Sequence, residues 1–386
     1  EQGLFEEALG QLLETDDPSE AARLVARQRR RITDKEQWHR LDVWLRLLPV
    51  PLIEGSPELL MLQAWSRENR GHDREMADAL DRLEPLLKTA PLDDAAHQRL
   101  AGEVDVLRSL QHYRAGRGGP ALECAESALR RLPDASAAER AYATILLGLS
   151  LQMVGEAGRA HEVVLQTLDR AQGTGTFHGR VLMTLGFLHW IAGNLGLVAR
   201  TGASLLELAR THELPETGTA GAYFQGIASY QMGELPRAES LLACAAQARE
   251  TPNSFFWSQA NCALALAQQA RGDPGAARET ASAFLGELLE RGISAQVPVA
   301  QALVAELALR QGRHSEAVQW ARTFEPGSPS FHYGVYVPEL TLARALLAEG
   351  ASQSRDRAVE LLERQDGFFT SIHNVRFSIE VHALQA

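Results

Sequence analysis

GIASYQMGELPRA, residues 226–238, carries the pattern that decides the fold of this chain. The small residue Gly226 is followed seven residues later by Gly233 and, five residues after that, by Ala238. Gly233 can end a helix, because a residue without a Cβ adopts the left-handed conformation at no steric cost. Gly226 and Ala238 then lie on the facing sides of two consecutive helices and let them cross closely. The stretch therefore predicts a helical hairpin.

A glycine that can end a helix recurs along the whole chain at a nearly constant interval. The glycines are Gly71, Gly116, Gly155, Gly193, Gly233, Gly272, Gly312 and Gly350. A fixed interval in this range is typical of helical-repeat arrays, and the pattern small-x6-Gly-x4-Ala is the core of the tetratricopeptide (TPR) repeat. The sequence predicts an all-α fold, a right-handed α-α superhelix. It is a TPR-like solenoid of about eight helical hairpins with a period of about 39 residues.

Composition and charge narrow the classes of function. The 386 residues are 45% hydrophobic, which suffices for the continuous core of a solenoid. The net charge of −11 argues against direct contact with nucleic acid or with an anionic membrane surface. No uncharged apolar run approaches ~18 residues, so no membrane span is expected. The three cysteines are far apart in sequence, which favours a reduced, cytoplasmic protein.

Two regions of the chain are distinguished by their regularity. Residues 1–70 are predicted to form helical hairpins that lead into the array. Residues 71–386 are predicted to be the regular TPR-like repeats. In the last hairpin, the first helix is expected over residues 334–349. No change in composition separates the regions, so we expect one continuous superhelix. The chain opens at Glu1 in the middle of the pattern, and we expect it to be a fragment of a longer protein.

The register of the repeats selects candidate ligand-binding residues. In TPR-type arrays the first helix of each hairpin lines the concave surface, which is the usual binding face. Concave positions lie 13, 10, 6, 3 and 2 residues before each glycine. The candidates are Tyr113, Tyr142, Arg180, Phe187, Trp190, Tyr223, Tyr230, Gln259, Glu306, Arg310 and Arg344. Aromatic rings beside Arg, Gln and Glu suit a small polar ligand such as an oligosaccharide or a metabolite. The alternative for each aromatic residue is a place in the core between repeats.

Catalytic and metal-binding patterns are weak. His178 and His189 share one helix face, but no H-x3-H or C-x2-C pair accompanies them. Ser254 and Ser258 lack the strand-turn-helix context of a nucleophile elbow. We therefore expect neither an enzyme nor a metal site, and no cofactor within this chain.

The first 70 residues are similar to a known family. GLFEEAL (residues 3–9) and DDPSEAARLV (residues 16–25) resemble the segment that follows the nucleotide-binding region of large LuxR-type regulators. These are the MalT-like ATP-dependent transcriptional activators. A run typical of that family then leads into the repeats: Trp38, Val43-Trp44-Leu45, Leu48-Pro49, Leu52, Pro57-Glu58-Leu59 and Ala64-Trp65. The resemblance extends over essentially the whole chain.

The resemblance implies a modular transcriptional regulator. It implies an ATP-binding switch upstream of this chain and a DNA-binding helix-turn-helix downstream. No G-x-x-x-x-G-K-[ST] phosphate loop occurs in this chain, so ATP would be bound upstream. The superhelical segment would bind a small-molecule inducer and take part in self-association. The repeats alone leave open a TPR scaffold that binds a regulatory protein or a peptide.

Overall fold

The structure, a computed structural model, describes residues 2–14, 19–33, 38–69, 72–170, 175–248, 254–329 and 333–386. Within these ranges the regular elements are α-helices and one 3₁₀ turn, Ser294–Gln296. The predicted all-α fold is therefore confirmed. Four helices come before the regular array: α1 (Gln2–Leu13), α2 (Ser19–Thr33), α3 (Trp38–Leu47) and α4 (Val50–Glu54).

Eight helical hairpins follow in the described residues, as the glycine spacing predicts. The first four are α5 (Pro57–Asn69) with α6 (Asp73–Thr89), α7 (Asp94–Arg114) with α8 (Gly118–Arg131), α9 (Ala137–Met153) with α10 (Ala157–Arg170), and α11 (Gly175–Ile191) with α12 (Leu195–His212). The next four are α13 (Pro215–Gln231) with α14 (Leu235–Ala246), α15 (Ser254–Ala270) with α16 (Pro274–Glu290), α17 (Val297–Arg310) with α18 (His314–Thr323), and α19 (Pro338–Glu349) with α20 (Ser352–Ser371). A last helix, α21 (Val375–Gln385), follows α20.

Glycine turns end the first helix of the hairpins. Seven of the eight predicted glycines are described, and all seven have φ between 72° and 85°, where only glycine is unstrained. Gly71 lies outside the described residues. At Gly233 the N–H of Glu234 donates to the carbonyl of Ser229 at 2.9 Å, so a helix-end carbonyl is satisfied within the turn.

Small residues hold the two helices of a hairpin close together. A Cβ on Gly226 would lie 2.7 Å from Cγ of Leu242, a fully buried side chain on the second helix of the same hairpin. A Cβ on Gly148 of α9 would likewise lie 2.8 Å from Cγ2 of Val164 on α10. The alanines five residues after the turns are fully buried: Ala121, Ala160, Ala238, Ala277 and Ala317. The predicted helix-helix register is confirmed.

We expect Gly226→Ala to lower the free energy of unfolding by about 1–3 kcal/mol, since the added methyl overpacks against Leu242. The matched control is Gly286→Ala, also in the middle of a helix, where an added Cβ has nothing within 4 Å. There the better helix propensity of alanine is expected to stabilise by about 0.5–1 kcal/mol. Urea unfolding followed by circular dichroism measures both. A stabilised Gly226→Ala chain would contradict the close crossing.

The first helices of successive hairpins form the inner layer of the superhelix. They pack on one another in order, α5 on α7, α7 on α9 and onward to α19. Each second helix packs against the first helix of its own hairpin and contributes to the outer layer. The last helix, α21, packs on α19 and α20 and also on α11. The end of the described chain thus returns to the inner layer near its middle. No helix among the described residues has the length and apolar character to cross a membrane.

The predicted start of the first helix in the last hairpin is wrong. Residues 334–349 were expected to be helical, but α19 begins at Pro338. Val337 is extended, with φ −125° and ψ 116°, because the residue before a proline is disfavoured in the helical region. Pro338 then fits the first helical turn, which needs no N–H donor. Residues 333–337 remain a non-helical stretch, which we call the inner segment.

Candidate ligand-binding face

The inner layer contains all eleven predicted ligand-binding residues. Each lies on a first helix between α7 and α19, as the register rule requires. They fall into an aromatic cluster at the centre and two charged networks on either side. Among them only the Arg310 side chain is exposed, at 37%. Their role as ligand contacts stays a prediction, and their present partners are described below.

The aromatic cluster consists of rings from three first helices. The Phe187 ring lies 5.1 Å from Phe224, 5.4 Å from Phe255 and 5.7 Å from Phe256, measured between centroids. Tyr223 is fully buried beside them, and its hydroxyl has no hydrogen-bond partner among the described residues. Burial raises the pKa of Tyr223, so the phenol stays neutral. The rings form a core between repeats and give the inner layer a rigid apolar surface.

Trp190 and Gln259 bind the protein's own main chain. Nε1 of Trp190 donates to the carbonyl oxygen of Gly334 at 3.3 Å. The N–H of Val335 donates to Oε1 of Gln259 at 3.0 Å. Both predicted residues thus hold the inner segment against the aromatic cluster. Tyr113 takes part as well, because its ring stacks on Tyr333 at 5.8 Å.

A buried charged network lies on the amino-terminal side of the aromatic cluster. The Tyr142 hydroxyl donates to Oε1 of Glu68 at 2.7 Å, and Arg114 lies 3.3 Å from the same oxygen. Burial raises the pKa of Glu68, while Arg114 and Tyr142 oppose that effect. Arg180 pairs with Glu216 at 3.1 Å, and both side chains are buried. The Arg180 guanidinium also lies 5.4 Å from the centre of the Tyr142 ring, which joins the two pairs.

A cavity of about 440 Å³ opens beside this network. It is lined by Arg23, Ala26, Arg27, Glu58, Arg99, Ser136 and Glu139. Arg99 extends from the cavity wall to Glu103 at 2.7 Å, and Nε1 of Trp65 donates to the other oxygen of Glu103 at 2.9 Å. The Trp65 ring meets Tyr142 edge-on at 5.4 Å. A chain of side-chain contacts therefore links the cavity wall to the predicted residues Tyr142 and Arg180.

A second charged network lies on the carboxyl-terminal side and is centred on Glu306. Its Oε1 accepts from Nε of Arg310 at 2.7 Å, and its Oε2 accepts from Arg344 at 3.2 Å and from the Thr341 hydroxyl at 2.7 Å. Arg344 also contacts Glu380. Burial favours the neutral form of Glu380, but Arg376 and Arg344 prevail and lower its pKa. Tyr230, half-buried, packs at the edge of the core close to Arg310.

The sequence interpretation missed several members of this face. Glu58, Trp65 and Glu68 lie 13, 6 and 3 residues before Gly71, and these are offsets that the register rule selects. The register rule therefore also selects these three residues, which the candidate set did not include. Tyr333 and the α21 residues carried no comparable signal, because they approach the inner layer from outside the repeat register.

Histidines do not form a metal site in the described residues, where no group of three or more His, Cys, Asp or Glu side chains is suitably arranged. His189 instead meets His161 of α10, with Nδ1 and Nε2 3.2 Å apart. Burial, His161 and Arg200 together lower the pKa of His189 to about 4. The pair is neutral near pH 7, one ring donating to the other.

We expect this pair to make the fold sensitive to acid. The folded pKa of His189 lies below the unfolded value near 6.5, so its stabilisation is complete above about pH 6.5 and is lost as the pH falls toward 4. Because the rings are partly solvated, the loss between pH 7 and pH 5 is expected to be about 1 kcal/mol. Urea midpoints measured at both pH values test this. His189→Gln should show a smaller pH dependence than the native chain, and an equal dependence would contradict the assignment.

The sequence of this chain is similar to that of known regulatory proteins. A family model described as the MalT-like TPR region matches residues 102–366. The HTH-type transcriptional regulators MalT of Yersinia enterocolitica and Yersinia pestis are each 30% identical to this chain over 159 residues. The aligned part covers 38% of this chain but only 17% of each relative, so the match spans less than a fifth of their length.

The fold is also similar to solved helical-repeat structures. A Rap protein complexed with competence and sporulation factor superposes with a TM-score of 0.58, covering 95% of this chain and 98% of that chain. The sequences are 14% identical, so this likeness concerns the fold alone.

Proposed function

This chain belongs to the MalT-like TPR family, and we propose that it is the effector-binding and self-association segment of an ATP-dependent bacterial transcriptional activator. ATP would bind to a region outside these residues, and the protein would act in the cytoplasm. The chain itself would contact a small-molecule inducer rather than DNA, which agrees with its net charge of −11.

The observation that carries the proposal is the polar cavity joined to the buried network. Guanidinium groups of Arg27 and Arg99 and carboxylates of Glu58 and Glu139 line one space of about 440 Å³. Such a space suits a small ligand that both donates and accepts hydrogen bonds. A ligand there would touch Arg99, whose partner Glu103 leads to Trp65 and so to the inner layer. Binding would thereby alter how neighbouring hairpins pack.

The test is a thermal-shift titration against oligosaccharides, nucleotides, amino acids and organic acids. A ligand present at 100 times its Kd stabilises by about 2.7 kcal/mol, which gives a measurable rise in Tm. We expect one class of compound to produce this rise in the native chain. Arg27→Ala, at the exposed rim of the cavity, should reduce it. The control Arg322→Ala removes an exposed arginine of the outer helix α18 and should leave the rise intact.

Self-association is measured on the same samples by sedimentation velocity, with and without the stabilising ligand. An increase in mass on ligand addition would support the proposal. If no small molecule raises Tm and a partner protein is captured instead, the TPR scaffold becomes the better description. A Tm rise that survives Arg27→Ala unchanged would move the ligand site away from this cavity.

A further inference from the structure

The inner segment is held through its main chain by side chains from three separate helices. Besides the bonds from Trp190 of α11 and Gln259 of α15, Nη2 of Arg376 on α21 donates to the carbonyl oxygen of Val335 at 3.3 Å. These partners lie 144, 76 and 41 residues from the groups they bind. Side chains that form hydrogen bonds with main-chain N–H and C=O groups can bind an extended peptide largely independently of its sequence.

The side chains of the inner segment add selectivity at three successive positions. The Tyr333 ring lies between Tyr113 at 5.8 Å and Phe187 at 4.7 Å, so an aromatic residue fits this position. At Gly334 a Cβ would come within 2.5 Å of Oε1 of Gln259, so a larger residue fits only if the Gln259 amide moves away from the Val335 N–H that it accepts. Val335 is 2% exposed, which favours an aliphatic residue.

We propose that the face formed by α7, α11, α15 and α21 is a peptide-binding site for an extended partner segment of the pattern aromatic-glycine-aliphatic, and that the inner segment occupies this site in cis. A partner peptide then competes with a tethered occupant whose effective concentration is in the millimolar range. Binding in trans is therefore weak until the inner segment leaves. The site is distinct from the polar cavity, so the proposal does not depend on the small effector.

The test uses a fluorescein-labelled peptide FHYGVYVP, the sequence of residues 331–338, and measures its binding by anisotropy. In the Gly334→Val chain the added side chain collides with the Gln259 amide, which then loses its bond to Val335, and we expect the inner segment to leave the site. We expect the peptide to bind this variant about tenfold or more tighter than it binds the native chain. Adding Gln259→Leu should remove most of that gain, because the acceptor for the peptide N–H is lost. A peptide with valine in place of its glycine is the matched control and should not bind.

A folded Gly334→Val chain that binds the peptide no better than the native chain would overturn the proposal. Val335→Pro provides a second displaced variant, since it removes the N–H that Gln259 accepts. The native chain can also be tested without substitution, by a peptide carrying a benzophenone at the position of Tyr333. Cross-links confined to α7, α11 and α15 would support the site, and cross-links elsewhere would contradict it.

Discussion

Replacing Glu306 by glutamine is expected to lower the free energy of unfolding by about 3 kcal/mol or more. The carboxylate is 1% exposed and is the common partner of Arg310 and Arg344, with the Thr341 hydroxyl as a third donor. Glutamine keeps the shape but removes the charge, and its amide nitrogen cannot accept from a guanidinium. Two partly buried arginines would then lose their shared counter-ion.

Urea unfolding followed by circular dichroism measures the loss. The control is Glu54→Gln, which breaks an exposed pair with Arg82 and is expected to change the stability by less than about 0.5 kcal/mol. Equal midpoints for the Glu306→Gln and Glu54→Gln chains would contradict a structural role for the Glu306 network. If Glu306→Gln leaves stability intact but abolishes a ligand-induced Tm shift, Glu306 would be a ligand contact, as the repeat register predicted.

The repeat architecture could be predicted because its causes are local. The φ values of 83° at Gly155 and 85° at Gly272 strain any residue with a Cβ, whatever surrounds it. The close crossing at Gly148 requires a small residue at a fixed distance from the turn. These requirements repeat along the chain, so their spacing gives the number of hairpins and the face each residue occupies. For this reason the register placed all eleven predicted residues on the inner layer.

The contacts that fill the inner layer could not be predicted in the same way. Gln152 donates to the carbonyl oxygen of Ile372, 220 residues away, and Trp190 reaches Gly334 across 144 residues. Such pairs depend on how tightly the superhelix closes, which is the sum of small rotations between repeats. The spacing of glycines and small residues within one repeat does not determine the sum of these rotations. The register therefore gave the correct face but not whether each side chain meets a ligand or the protein itself.

The register likewise cannot separate charged residues that bind a ligand from those that neutralise one another. Arg180 was predicted as a ligand contact on the chemistry of its side chain. In the structure its partner is Glu216, which lies outside the selected offsets and near the start of α13. A buried guanidinium needs a counter-ion in the absence of any ligand, and the sequence alone does not reveal which carboxylate supplies it.

Phe187 can distinguish the two roles proposed for the inner aromatic residues, a place in the core between repeats or contact with a ligand. If its ring belongs to the core, Phe187→Ala is expected to lower the free energy of unfolding by about 3–5 kcal/mol, because it leaves a cavity among four other rings. The matched variant Phe187→Leu retains most of the volume and should cost less than about 1.5 kcal/mol. Urea midpoints of the two variants give the comparison.

The same substitution also tests how the inner segment is held. Tyr333 meets the Phe187 ring at 4.7 Å, so removal of that ring should loosen residues 333–337 and speed hydrogen exchange at the Val335 amide. Phe187→Leu should leave that exchange nearly as slow as in the native chain. Unchanged stability and exchange in Phe187→Ala would exclude the core role. The ring would then serve a ligand, and the closed inner layer would be one state of a face that opens to bind it.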